Sequence, residues 1–245
     1  MNPNYRTALV TGATSGIGFA IANQLAEMGM EVYALGRSQT AIELLESVDG
    51  IKPLVVDVTD QENVERALKN LEIDVFVNNA GVMPLPKPFY LVDQNDIEGV
   101  LEVNVNAVFA LTRTILPQMV ERQFGHIFFT GSIAGHAAFP NMALYSACKA
   151  AVGSLAASLR CDLAGKGVRV TEIVPGRVKT SLYEQALGKE AAEDLYKGAL
   201  PVDPKDVARM LQVVLEMPQH VDISRFDILP TAQYVGGGAM IEEKK

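Results

Sequence analysis

Residues 8–18 read Ala8-Leu9-Val10-Thr11-Gly12-Ala13-Thr14-Ser15-Gly16-Ile17-Gly18. A short apolar run of strand type enters a glycine-rich turn, and the apolar pattern resumes beyond it at helical spacing. Glycines in such a turn allow a sharp bend and a close approach of ligand to backbone. The turn opens a helix, where free N–H groups and the helix dipole favour an anion. A dinucleotide pyrophosphate uses this arrangement, with Gly12, Thr14, Ser15, Gly16, Ile17 and Gly18 around it. The spacing is Gly-x3-Gly-x-Gly, not the better-known Gly-x-Gly-x-x-Gly. Taken alone, a glycine-rich turn with no ligand reads the same way.

The pattern repeats along the chain. Further strand-like runs cover residues 31–35, 52–56, 75–77, 126–130, 169–174 and 226–229, and helical stretches lie near 16–29, 39–47, 60–71, 96–123, 143–165 and 203–217. Alternating β and α predicts a parallel sheet with helices on both faces. The doubly wound strand order 3-2-1-4-5-6, with a seventh strand added, is the expected topology. No internal repeat or Pro/Ser-rich linker interrupts the chain, so residues 1–245 are read as one α/β domain. The segment 176–203 mixes turn residues with a short amphipathic stretch after a strand. Ligands in open α/β sheets bind beyond the carboxyl ends of the strands, which makes this segment a candidate lid.

Composition narrows the partners. The 245 residues are 49% hydrophobic and 20% charged, with a net charge of −8 and a sequence pI near 5.0. An acidic surface argues against nucleic acid or an anionic membrane as the main partner. No apolar run approaches the ~18 residues that suggest a membrane span, and the start of the chain lacks a signal-peptide core. Cys148 and Cys161 fall thirteen residues apart in one expected helix, too far to pair with each other. They read as small buried or half-buried side chains in a reducing cytoplasm, and no metal site is expected.

The strand ends carry the chemistry. After the second strand come Gly36, Arg37 and Ser38, with no carboxylate where a free adenine-ribose 2′-hydroxyl would be read. A guanidinium fits a phosphate there, so NADP(H) is expected over NAD(H). Asp57-Val58 ends the third strand within reach of an adenine, although an Asp there also starts helices. Asn78-Asn79-Ala80-Gly81 ends the fourth, where amides can satisfy strand-end backbone and small residues leave room for a flat ring. Ser132 follows the fifth strand and Pro175-Gly176 the sixth, with Val178 and Thr180 just beyond. Tyr145 and Lys149, four apart on a helix, share one face. An ammonium beside a phenol favours phenolate, which would lower the Tyr145 pKa and fit it for acid–base work.

In this order and at these spacings, the motifs resemble the short-chain dehydrogenase/reductase family over residues 6 to 230. The resemblance implies a Rossmann-like sheet of seven mainly parallel strands in the order 3-2-1-4-5-6-7, with NADP(H) as cofactor and a small carbonyl or alcohol as substrate. It implies that Tyr145 exchanges the proton, Ser132 orients the substrate oxygen, and Lys149 lowers the Tyr145 pKa and binds the nicotinamide ribose. Asn104, in Asn104-Val105-Asn106-Ala107-Val108-Phe109, fits the family's proton-relay position, whereas Asn106 does not. The apolar helices 100–120 and 145–163 imply subunit contacts in a dimer or tetramer. The tail from Arg225 to Gln233 lacks the Asp-Gly-Gly of many acyl-carrier-protein thioester reductases and looks more like members acting on small 3-hydroxy acids. A 3-oxoacyl-thioester reductase and a non-catalytic NADP(H) sensor are the rival readings. Arg177 and Lys179 are candidate partners for a substrate anion. His136, Phe139, Asn141, Leu182, Tyr183 and Leu187 are expected to line the pocket.

Overall fold

The computed structural model describes residues 4–39, 45, 47–197 and 200–234. Seven strands form one sheet: β1 (Thr7–Thr11), β2 (Glu31–Gly36), β3 (Ile51–Val55), β4 (Val75–Asn78), β5 (Gly125–Thr130), β6 (Val168–Pro175) and β7 (Arg225–Ile228). Every pairing is parallel, in the order β3-β2-β1-β4-β5-β6-β7. The order in which strands are added reverses between β1 and β4, and that switch point opens a crevice at the carboxyl ends of the strands. The helices are α1 (Gly16–Glu27), α2 (Gln61–Leu68), α3 (Gln94–Leu101), α4 (Ala107–Arg122), α5 (Ala143–Asp162), α6 (Ser181–Leu187), α7 (Lys189–Asp194) and α8 (Pro204–Leu215). The helix expected near 39–47 lies largely outside the described residues.

Strand alternation sends side chains into two cores. Ala8, Val10 and Phe128 pack with Ile21, Leu25, Val207 and Leu211 on one face. Leu9, Ile127 and Phe129 pack with Leu111, Ile115, Val152 and Ala156 on the other. The helical run Gln94–Arg122, with mean hydropathy 1.2, is long and apolar enough to cross a membrane by length and composition. It is interrupted by Asp96, Glu98, Glu102 and Arg113, so it is not an unbroken apolar run of that length. One face of this run packs against the sheet through Val108, Leu111, Ile115 and Met119, as a core helix does. Cys148 is buried and Cys161 exposed, so the second thiol is more open than its sequence setting suggests.

Two buried polar side chains tie β5 and β6 to the end of α8. Arg169 donates to the carbonyls of Val214, Leu215, Met217 and Val221 at 3.1–3.3 Å and to the Tyr5 hydroxyl at 2.9 Å. A guanidinium thus caps the carbonyls that a helix end leaves unpaired. His126 stacks on Phe128 with centroids 4.0 Å apart and reaches Thr171 Oγ1 at 2.8 Å through Nε2. The Thr171 hydroxyl donates to Ile223, so Nε2 carries the hydrogen and the buried Nδ1 has no partner.

Burial, and then the Arg169 charge, hold the His126 pKa well below its ordinary 6.5. The unfolded chain therefore takes up a proton that the folded chain refuses. Stability from this group is present above pH 6.5 and falls as the pH drops below it, by up to about 1.4 kcal/mol per pH unit. His126→Gln keeps an N–H donor and is expected to flatten that loss. Urea midpoints of both proteins at pH 7.0 and 5.0 check it, and parallel acid losses would remove His126 from the account.

Candidate active site

The crevice is a cleft of about 440 Å³ over the carboxyl ends of β1, β4, β5 and β6, covered on one side by α6. Its first wall is the glycine turn. Gly12 and Gly16 have φ of +64° and +54°, values that L side chains resist. A Cβ on Gly12 would come within 3.0 Å of the Ala80 backbone, and one on Gly18 would strike the Gly12 carbonyl. Gly18 does not line the cleft. It lets α1 close against the turn.

The Asn78-Asn79-Ala80-Gly81 run laces three strands together. Asn79 Nδ2 donates to Thr11 O at 3.0 Å, and Thr130 Oγ1 donates to Asn79 Oδ1 at 3.2 Å. Thr11 Oγ1 accepts from Asn79 N and Ala80 N at 2.9 and 3.0 Å. Asn78 Nδ2 donates instead to Val108 O at 3.1 Å, on α4. Small Ala80 and Gly81 keep the cleft floor low. A Cβ on Gly81 would come within 3.0 Å of Asn104 Oδ1 and 3.6 Å of Lys149 Nζ.

Tyr145 and Lys149 lie on one buried face of α5, as their spacing predicts. Lys149 Nζ donates to Thr130 O at 2.8 Å and stands 5.8 Å from the Tyr145 ring centroid. Ser132 caps the short turn Ile133–Gly135, accepting from Ala134 N at 3.1 Å, and its hydroxyl is close enough to the Tyr145 phenol to act on its pKa. Burial pushes the Tyr145 pKa up, Tyr183 adds to the rise, and only Ser132 opposes it. The expected lowering by Lys149 is corrected. The ammonium is turned to the Thr130 carbonyl, and burial brings its own pKa down to about 8.

Asn104 sits in a π-helical turn, Glu102–Asn106, inserted between α3 and α4. Its side chain forms a two-bond clamp: Nδ2 donates to Val82 O at 2.7 Å and Oδ1 accepts from Val82 N at 2.9 Å. Asn106 is exposed and bonds Glu102, as its place around the helix predicts.

At the far end of the cleft, Arg37 lies 3.7 Å from Asp57. Burial would raise the Asp57 pKa, but bonds from Thr59 and the Arg37 charge outweigh it and hold it low. Asp57 Oδ1 accepts from Thr59 N at 2.9 Å and Thr59 Oγ1 at 2.8 Å, so one oxygen shapes the turn and the other faces Arg37.

Of the residues expected around the cofactor or reaction, only Gly18, Ser38 and Asn104 stand off the cleft lining. Leu182, Tyr183, Leu187 and Phe139 line it, whereas His136 and Asn141 do not. His136 turns away to Glu172, 2.8 Å distant. Arg177 lines the cleft and donates to Leu195 O at 2.9 Å, while Lys179 faces a separate exposed groove. Thr130 and Gln233 were not expected. Thr130 is a polar residue at a strand's carboxyl end, which is a usable signal. Gln233, which accepts from Arg177 N at 2.7 Å, comes from the tail and gives none.

Known proteins share both sequence and fold. The model of the short chain dehydrogenase family matches residues 6–191. An uncharacterized short-chain type dehydrogenase/reductase of Sinorhizobium fredii is 48% identical over 237 residues, covering 96% of each chain. The NADP-dependent 3-hydroxy acid dehydrogenase of Escherichia coli K12 is 34% identical, covering 94% of this chain and 96% of its own. The closed form of serine dehydrogenase complexed with NADP+ superposes with a TM-score of 0.91 at 34% identity, covering 94% of this chain and 97% of that one.

Proposed function

The chain belongs to the short-chain dehydrogenase/reductase family, and from that premise we propose that it interconverts a short hydroxy acid and the matching carbonyl with NADP(H). Membership makes it an oxidoreductase that acts on CH–OH groups of small molecules with a nicotinamide dinucleotide. The observation that carries the reading is the convergence of Ser132, Tyr145 and Lys149 on the cleft floor, all three buried.

The cradle fits such a cofactor, because Gly12 and Gly16 leave the turn without side chains where it lines the cleft, while Gly18 lets α1 close against it. In this reading the turn from Gly12 to Gly18 holds the pyrophosphate. Arg37 and Ser38 hold a 2′-phosphate, and Asp57 and Val58 flank the adenine. Asn79, Ala80, Gly81 and Lys149 hold the nicotinamide ribose side, and Pro175, Gly176, Val178 and Thr180 the carboxamide side. Bound there, the nicotinamide supplies or accepts the hydride at the substrate carbon.

Tyr145 holds the proton that passes to the carbonyl oxygen during reduction and takes it back in oxidation. Ser132 fixes that oxygen beside the phenol. A phenol kept protonated by burial is set up as a donor. Lys149, held on Thr130 O, stands 5.8 Å from the phenol ring centroid and in this reading meets the nicotinamide ribose. Asn104 holds the Val82 backbone beside the cleft floor.

Arg37 supports NADP(H). Arg37→Ala is expected to raise KM for NADPH about tenfold or more while changing that for NADH less than about twofold. Equal changes would mean that Arg37 does not read the phosphate.

Arg177 supports an anionic substrate. Of the charged side chains lining the cleft among the described residues, Arg37 and Asp57 lie at the β2–β3 end and Lys149 in the floor. Arg177 is left on the lid side, where its charge acts on Tyr183, which in turn acts on Tyr145. NADPH oxidation is to be followed with short 3-oxo acids, neutral aldehydes and 3-oxoacyl thioesters. The acids are expected to turn over best, and Arg177→Leu to raise their KM about tenfold without affecting neutral aldehydes. Preference for thioesters would favour the acyl-thioester reductase, and silence across the panel a sensor. The same reading makes residues 1–245 one cytoplasmic domain with 176–203 as its lid. It forms a dimer or tetramer through the apolar helices that leave Leu101 and Phe109 exposed.

A further inference from the structure

Glu172 has no part in the reaction as described, yet it is a buried carboxylate next to the reacting groups. It lies in β6 and is 4% exposed. Its Oε1 accepts from His136 Nε2 at 2.8 Å. Two glycines make room for it. A Cβ on Gly131 would collide with Oε1, and one on Gly153 would come within 2.9 Å of it. Gly131 immediately precedes Ser132, and Gly153 stands one helical turn beyond Lys149. The carboxylate is therefore wedged between the strand end that bears Ser132 and the helix that bears Tyr145 and Lys149.

His136 closes the turn that Ser132 opens, with its N donating to Ile133 O at 3.0 Å. Its Nδ1 lies 3.3 Å from Arg225 NH1, a group that can only donate. Nδ1 is thus the acceptor, and Nε2 carries the hydrogen given to Glu172. Arg225 is in turn held by Asp227 at 2.8 Å. Both ends of the Ser132 turn are thereby fixed, one by β5 and the other by Glu172 on β6.

The surroundings of Lys149 single out the same residue. Cys148 and Tyr145 face it from its own helix, the neutral Asn104 amide lies beside it from the π turn, and Thr130 offers a carbonyl from β5. Tyr183 reaches it only through Tyr145. Among the described residues, Glu172 is the one carboxylate acting on Lys149, and its charge raises an ammonium pKa that burial has depressed.

We propose that Glu172 is a positioning residue for the reaction, holding the Ser132 turn through His136 and serving as the buried counter-charge of Lys149. The inference rests on the dehydrogenase reading above. Two variants separate its parts. E172Q keeps an acceptor for His136 and removes the charge. The alkaline limb of its kcat–pH profile is expected to move down by about one unit, with NADPH affinity within about twofold of wild type. H136A removes the tie and leaves the charge, and kcat is expected to fall about tenfold with the limb in place. His136 is partly exposed, so H136A carries the test should E172Q fail to fold. Either effect retains Glu172 as a positioning residue. Wild-type kcat and profile in both variants overturn it. So do equal losses of kcat, NADPH affinity and thermal midpoint with an unmoved limb, which is what a purely structural residue gives. Y145F is run alongside: if it still turns over, the dehydrogenase reading fails, and if it is dead while E172Q and H136A match wild type, only the Glu172 inference fails.

Discussion

Tyr145→Phe is expected to lower kcat by about three orders of magnitude while leaving NADPH affinity within a few-fold. The ring is buried in α5 and the substitution keeps its packing, so only the phenolic oxygen is lost. Among the described residues, the other proton-bearing side chains of the cleft floor are Ser132 and Lys149. A serine hydroxyl can orient a carbonyl but is a poor acid near neutral pH. Lys149 does not substitute for the phenol, because its ammonium points to Thr130 O. Single-turnover reduction and NADPH fluorescence titration on the same preparation separate chemistry from binding. A kcat within tenfold of wild type would require a different proton donor.

Arg169→Met is the substitution with the largest expected effect on stability, about 3 kcal/mol or more in urea unfolding. Methionine keeps much of the apolar stem but provides none of the donors that Arg169 sends to four carbonyls and Tyr5. Those carbonyls close the end of α8, where water has little access. Arg169→Lys should recover only part of the loss, since one ammonium cannot span the fork of a guanidinium. The catalytic cluster lies at the opposite end of β6, so kcat at low temperature should change little. A loss below about 1 kcal/mol would show that other donors replace the guanidinium.

The sheet was legible because each strand is a short apolar run between turn residues, and its order follows from unbroken β/α alternation. The strand-end motifs were legible for a related reason: a polar or glycine residue at the carboxyl end of an apolar strand has few purposes. What escaped was set by direction. Asp57 was placed at the right strand end, but which way its carboxylate turns depends on Thr59, two residues on. His136 has the spacing of a pocket residue, yet Glu172, 36 positions later, draws it away. Helical spacing gives the nearness of Lys149 to Tyr145 and not the burial that dominates the phenol. Gln233 arrives from the tail, whose path no local pattern encodes.

The π turn at Glu102–Asn106 interrupts the stretch 96–123, which the sequence presents as one long helix. Each residue advances an α-helix by about 100°, so the inserted residue puts α3 and α4 out of phase with each other. The stripe of α4 is fixed by the sheet through Val108, Leu111 and Ile115, and the extra residue is what swings Asn104 onto Val82. Deleting one residue between 102 and 106 would heal the helix, yet aim position 104 elsewhere and shift Val103 and Val105, which pack against the cores. A relative that keeps an asparagine there but is one residue shorter has kept the letter and lost the clamp. In this stretch, loop-like tolerance to length is absent even though the chain is helical throughout.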